Sequence, residues 1–255
     1  VSLLYAFAGP WLYGWTYHRG LTLEIAIDQT YFTTEGIFGV PMTVAATYVI
    51  LFIIFGTFLE KSGAGQFFMN FANAIAGGAR GGPGKVAVVS SSLFGTISGS
   101  AVANVMVDGW LTIPMMKKTG YTPEDAGAIE ACASTGGQLL PPIMGAGAFI
   151  MSEFLSVPYA RIVAAATIPA LLYYGAILAN VHLRARRENI GRLDPNALPR
   201  ALDILKRDGH LLLPIAAVVF LLLRGYTPLM AAFRGILCLM AVCALRRRGL
   251  LMASQ

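Results

Sequence analysis

Gly95-Thr96-Ile97-Ser98-Gly99-Ser100-Ala101-Val102-Ala103-Asn104 is a run of small and hydroxyl-bearing residues set between two apolar segments. Each flanking arm is roughly 13 to 16 residues, or ~20–24 Å as helix, short of the ~30 Å hydrocarbon layer of a bilayer. In a soluble protein such a run would be an ordinary loop. At membrane depth a turn of backbone must be buried in protein or line a wet cavity. Membrane proteins keep such breaks where ions and small solutes bind.

The rest of the chain places that run in lipid. Apolar residues make up 56% of the 255 residues and charged residues 13%, about half the charge of a soluble domain. The net charge of +6 does not point to nucleic acid, because the basic residues sit in short loops between apolar runs, the positive-inside pattern. Cys132, Cys238 and Cys243 are isolated in apolar surroundings, so neither a zinc site nor a disulfide framework is supported. The chain opens at Val1 inside an apolar run, without a basic leader, and is expected to be a piece of a longer polypeptide.

Both arms around the run carry basic feet: Arg80 and Lys85 before the first, Lys117 and Lys118 after the second. A re-entrant hairpin over residues 83–118, with both feet on one side, is the economical reading. Pro123-Glu124-Asp125 then opens a helix, since Pro and acids suit a first turn. Residues 124–155 would run ~48 Å as one straight helix. Gly136-Gly137 and Pro141-Pro142 interrupt them. Tandem prolines remove two amide donors and drive Leu140 out of helical geometry. The spacing predicts two half-helices over 123–155 around an unwound centre at residues 134–142.

Residues 1–17 are expected to end a spanning helix, closed by Trp11, Tyr13, Trp15 and Tyr17, and 1–35 to be that end plus a loop with a short interfacial helix. Residues 41–60 form a spanning helix. Residues 65–76, with Phe67, Phe68, Phe71 and Ile75, rise only ~18 Å and form an amphipathic arm in the interface plane, or one more buried helix. Residues 157–183 span. Residues 194–255 are a basic loop and two further spanning helices, about 211–223 and 227–245. The expected fold class is all-α: a polytopic helical membrane protein with a re-entrant hairpin and a broken helix.

Charge agrees. If the loop with Arg184, Arg186, Arg187, Arg192, Arg200, Lys206 and Arg207 lies inside, both hairpin feet and Arg246-Arg247-Arg248 also lie inside. Arg19, Arg161, Arg224 and Arg234 fall outside. Spanning once instead would put Lys117-Lys118 opposite Lys85 and degrade the asymmetry.

Two breaks facing each other make a chemical site. Carbonyls at the end of the first arm, with Ser98, Gly99 and Ser100, can ligate a small hard cation such as Na⁺. The opposing Ser134, Thr135, Gly136 and Gly137 supply matching oxygens. Asn104, Gln138 and the break at Pro141 and Pro142, together with free amides of the second arm, can receive an anionic substrate. Plainer readings stand beside these: Ser98 and Ser100 as close-packing or back-bonding residues, Asn104 as a helix N-cap, Gln138 as a partner for broken backbone. Asp108 and Glu130 are the acids expected within the membrane, as a cation or proton site or as structural hydrogen-bond partners. No Ser-His pair, HExxH or GxSxG is present, so no catalytic residues and no cofactor are expected.

The runs Ser98–Asn104, Ile113-Pro114-Met115-Met116-Lys117-Lys118-Thr119-Gly120-Tyr121 and Ala133-Ser134-Thr135-Gly136-Gly137-Gln138-Leu139-Leu140-Pro141-Pro142-Ile143-Met144-Gly145 resemble the large, M-type permease of tripartite ATP-independent periplasmic (TRAP) transporters. The Gly-Gly-Gln-x-x-Pro-Pro form, with the segment from Ala148 to Phe154, is most similar to fused permeases that work with TAXI-type solute-binding proteins. The resemblance spans about residues 36–193, which would be the first permease repeat. It implies a multi-pass protein of a bacterial or archaeal inner membrane, coupled to a sodium gradient and fed an organic acid by a periplasmic binding protein. It also implies an elevator in which the hairpin and broken helix move against a scaffold that includes residues 41–79. Family permeases carry a second, inverted copy of hairpin and broken helix. No second Ser-Gly-Ser tip or Pro-Pro break follows residue 183, so the chain would hold one half of an inverted-repeat site. A non-transporting membrane scaffold or channel subunit is the alternative.

Overall fold

The computed structural model of the chain describes residues 2–193 and 198–253, with side chains described from residue 4 to residue 245. Among the described residues all regular structure is helical. The protein is an all-α, polytopic membrane protein. Among the described residues, three helical stretches are long and apolar enough to cross a membrane: Val40–Lys61, Tyr159–Arg187 and Pro228–Leu245. The side chains of Arg246, Arg247 and Arg248 lie outside the described residues.

The chain divides into two compact units, Val1–Ala46 and Thr47–Gln255. In the first, helix α1 (Ser2–Ala8) stops well before Tyr17. Two 3₁₀ turns follow, Gly9–Trp11 and Gly14–Thr16. This corrects the expected continuous helix over residues 1–17. Pro10 removes an amide donor just past the helix, and Gly14 turns the chain at φ 69°. Helix α2 (Leu23–Ile27) is capped by the Thr22 hydroxyl, which accepts from Ile25 N. Helix α3 (Val40–Val44) carries Pro41 in its first turn, where no amide is needed.

The second unit holds the candidate site. Helix α4 (Ile50–Lys61) is followed by α5 (Ala64–Ala76). The inner face of α5 is buried, with Met69, Ala72 and Ala76 packed on Val86, Val89, Leu111 and Met115 of the hairpin. Ile75 points outward, 58% exposed. The buried-helix reading therefore describes α5 better than a helix lying in an interface with its apolar face free.

The hairpin consists of α6 (Gly82–Ser98, 17 residues) and α7 (Ala101–Lys118, 18 residues). Both arms exceed the expected length, because the small residues on either side of Gly99-Ser100 are helical. Small residues let two helices approach closely without ending either one. Only Gly99-Ser100 leaves the helix, and Gly99 reverses the chain at φ 58°, a conformation that favours glycine. The arms are antiparallel. Asn104 Nδ2 donates to Ser91 O, and nearer the feet Ala87 packs with Met116 and Ile113.

The broken helix is α8 (Pro123–Gly136) and α9 (Ala146–Leu155). Its unwound centre is residues 137–145, three residues later than residues 134–142. Ser134 and Thr135 keep helical geometry, their hydroxyls bonding back to Glu130 Oε1 and Ala131 O. The Pro141-Pro142 bond is cis. Helix α10 (Tyr159–Arg187, 29 residues) follows and carries Arg184, Arg186 and Arg187 in its last turn rather than in a loop.

The hairpin feet gather at the carboxyl end of α10. Lys85 Nζ lies 3.0 Å from His182 Nδ1, and Arg80 donates to Asn189. Tyr121 donates to Gly81 O, and Arg184 pairs with the buried Asp125 Oδ2 at 2.5 Å. Helix α11 (Ala201–Asp208) precedes α12 (Leu212–Leu223) and α13 (Pro228–Ala253). Helix α12 has 12 residues, a rise of ~18 Å, below the length of a full crossing. Gly235 lies where α13 meets α12 and α4: a Cβ there would stand 2.5 Å from Val218 Cγ2 and 3.2 Å from the Phe55 ring.

Candidate functional site

The tip of the hairpin and the unwound centre of the broken helix touch backbone to backbone. Ile143 N donates to Thr96 O at 3.3 Å. A Cβ on Gly99 would fall 1.9 Å from Met144 O, so no other residue fits there unless the backbone moves. Gly145 N donates to Gln138 O at 2.8 Å and closes the unwound segment into a compact loop.

An aromatic stack holds this loop from outside. Tyr159 stacks on Phe149 with ring centroids 4.6 Å apart, and Phe149 stacks on Phe52 at 5.2 Å. The stack thus joins α10, α9 and α4. The Tyr159 hydroxyl, 2.6 Å from Ile143 O and 2.9 Å from Pro142 O, donates to carbonyls that the helix break leaves without intrahelical partners.

Beside the contact lies a pocket of about 340 Å³, lined on the hairpin side by Ser98, Gly99 and Ser100 and on the other by Gln138 and residues 143–147. Val49, Phe52, Ile53 and Phe149 complete its wall. Two helix ends of opposite polarity meet here. The carboxyl end of α6 presents carbonyls and a negative dipole end. The amino end of α9, at Ala146 and Gly147, presents free amides and a positive one. A pocket of this make-up can hold a small cation and a small anion side by side.

The structure brings together four of the sequence-derived site residues: Ser98, Gly99, Ser100 and Gln138. Ser100 also caps α7, its hydroxyl accepting from Ala103 N, so the capping role weighed for Asn104 belongs to Ser100. The others lie elsewhere. Asn104 is fully buried between the hairpin arms and does not line the pocket. Ser134 is fully buried with its hydroxyl on Glu130. The Thr135 hydroxyl bonds back to Ala131 O. Gly136 packs against the Tyr173 and Tyr174 rings, and Gly137 against Gly95. Pro141 and Pro142 set the loop's path without lining the pocket.

Sequence reasoning missed the amino end of α9. Gly145-Ala146-Gly147 carries no side-chain chemistry, and its contribution is backbone amides. The signal that could have found it is a glycine just after a Pro-Pro break, where a new helix must start.

Asp108 lies away from the pocket, buried with Glu130 among Ser91, Thr112 and Ser134. At the foot of the hairpin, burial first and the Glu188 carboxylate second push the Tyr121 hydroxyl up to about 12.

Residues 1–255 match the family described as "Tripartite ATP-independent periplasmic transporter, DctM component". Among curated relatives, the chain is 29% identical over 182 residues to the C4-dicarboxylate TRAP transporter large permease protein DctM of Vibrio cholerae, which covers 71% of this chain and 40% of that protein. It is 27% identical over 194 residues to the protein of the same name from Rhodobacter capsulatus, covering 71% and 44%. It is 30% identical over 144 residues to the sialic acid TRAP transporter permease protein SiaT of Haemophilus influenzae, covering 56% and 23%. The chain spans about half or less of the length of these relatives.

Proposed function

We propose a function from one established premise: the chain belongs to the family of the DctM component of tripartite ATP-independent periplasmic transporters. As a member it is a multi-pass protein of the inner membrane and part of a TRAP large permease. Our reading is that it forms one half of the solute site of a sodium-coupled importer of an organic acid. A periplasmic solute-binding protein, of the TAXI type, delivers that acid. The chain does this by binding and movement, without chemical catalysis.

The observation that carries the reading is the pocket in which the hairpin tip meets the amino end of α9. Na⁺ is a hard ion and takes oxygen ligands. Ser98, Gly99 and Ser100 offer carbonyls and hydroxyls at the negative end of α6. A substrate carboxylate is the complementary guest for the amides of Ala146 and Gly147 and for the Gln138 carboxamide. Each ion neutralises part of the other's field, so each strengthens the other's binding. That mutual dependence is what couples solute to sodium. The elevator follows as proposed: the hairpin and broken helix carry the site, and α4 with α5 belongs to the scaffold.

The test is uptake by proteoliposomes holding the full-length permease and its binding protein. Ser98→Ala and Gln138→Ala should each reduce sodium-driven uptake of the organic acid by ~10-fold or more, the effect of losing a hydrogen bond to a charged group. Unchanged uptake with unchanged sodium dependence in both variants would defeat the site and favour a scaffold or channel subunit.

A further inference from the structure

The pocket does not use the most deeply buried acids among the described residues. Asp108 on α7 is 1% exposed and Glu130 on α8 is 0% exposed. Among the described residues neither forms an ion pair; the ion pairs there involve Asp125, Glu188 and Asp208. The neighbouring elements bring no neutralising charge. The charged residue of α6 is Lys85, about a turn and a half from Ser90 and engaged with His182. Lys117 and Lys118 end α7 at the foot, and Asp125 near the start of α8 is held by Arg184. Helix α5 has no titratable side chain. Helix α10 presents Tyr173 and Tyr174, whose hydroxyls donate to Cys132 O and Ala133 O.

Counting hydrogens identifies what is missing. Five contacts join hydroxyls to the two carboxyl groups, one of them from Ser90 to Asp108. Ser91 Oγ lies 3.5 Å from Asp108 Oδ2 and 3.3 Å from Glu130 Oε1. Thr112 Oγ1 lies 2.5 Å from Glu130 Oε2, and Ser134 Oγ 3.1 Å from Glu130 Oε1. Four hydroxyls carry four hydrogens, one each. If both acids were ionised, Ser91 would have to split its single hydrogen between two buried carboxylates, while Asp108 O, 3.1 Å from Thr112 Oγ1, competes for the Thr112 hydrogen. A separate observation points the same way. The fully buried Asn104, one turn before Asp108, gives its amide to the carbonyl of the same Ser91 and leaves its own Oδ1 without a partner. The neighbourhood has more acceptors than hydrogens.

We propose that Asp108 and Glu130 are a proton-binding pair inside the membrane, holding one proton that Asp108 carries and donates to Ser91, whose hydroxyl in turn donates to Glu130. Glu130 then accepts from Ser91, Thr112 and Ser134, and Ser91 no longer shares its hydrogen between two carboxylates. Two buried carboxyls close together keep one proton between them because two adjacent charges are costly. Asp108 sits on the hairpin and Glu130 on the first half of the broken helix. The proton therefore ties together the two elements that form the pocket. This site stands independently of the sodium and solute reading.

The experiment is infrared spectroscopy of the protein in lipid vesicles, with the carboxyl stretching band of a protonated acid as the readout. The wild type should show that band at neutral pH, shift it downward in D₂O, and lose it toward alkaline pH. Asp108→Asn should remove it, and Asp125→Asn should leave it. Absence of the band in the wild type overturns the proposal and needs no variant to fold. So does a band that survives Asp108→Asn and disappears in Glu130→Gln, which would seat the proton on the other acid. Thermal unfolding adds a second readout. The wild type should lose stability toward alkaline pH relative to Asp108→Asn, whose amide donor does not titrate. Parallel pH profiles would count against the pair.

Discussion

Gly95 and Gly137 meet so closely that a Cβ on Gly95 would stand 2.5 Å from Gly137 Cα, and one on Gly137 would stand 2.8 Å from Gly95 Cα. The hairpin and the broken helix thus touch through bare backbone. Neither neighbour is a side-chain tip that could swing away. Gly95→Ala should therefore cost about 1–3 kcal/mol, the usual range for overpacking. Gly147→Ala, with nothing within 4 Å of its added carbon, should lie within ~0.5 kcal/mol of the wild type. Thermal unfolding of both variants in one detergent checks the contrast.

Tyr159→Phe keeps the aromatic stack with Phe149 and removes the hydroxyl that bonds the Pro142 and Ile143 carbonyls. The loop should lose about 1–3 kcal/mol of local stability, the cost of leaving buried acceptors unpaired. Amide hydrogen exchange at residues 138–145 should speed up, while exchange in α6 and α10 stays near wild-type rates.

How far these contacts could be read beforehand differs from place to place. The hairpin and the broken helix were legible because glycine, tandem proline and basic feet are local signals with local causes. Their boundaries were not. Ser134 and Thr135 look like break residues, yet their hydroxyls fold back onto Glu130 and Ala131 O and let α8 continue. Asn104 looks like a pocket residue, yet its partner is Ser91 O on the opposite arm, a pairing that only the antiparallel packing creates. Helix α5 displays an amphipathic pattern that fits a membrane surface as well as a protein surface. Only the hairpin packed against Met69 and Ala72 distinguishes them.

Tyr121 gives a pH-dependent expectation at the foot of the hairpin. Its hydroxyl is pushed from 10.0 up to about 12 by burial and by Glu188. The unfolded chain therefore releases the phenolic proton first as pH rises. The stability Tyr121 contributes is whole below about pH 10 and is lost between there and about pH 12. Tyr121→Phe should lower stability by ~1 kcal/mol at neutral pH, through the lost bond to Gly81 O. It should also flatten this alkaline fall relative to the wild type, as urea unfolding at stepped pH would record.

The central claim is that the hairpin tip and the amino end of α9 enclose one wet, ion-binding pocket. Gly147→Cys places a thiol in that pocket with room around it, and Ile53→Cys places one on another wall of it. With Cys132, Cys238 and Cys243 replaced by alanine, labelling of each variant by a charged, water-soluble thiol reagent should proceed in vesicles. Sodium should slow it and potassium should not. Thiols that never label, or that label at the same rate in both salts, would contradict the account.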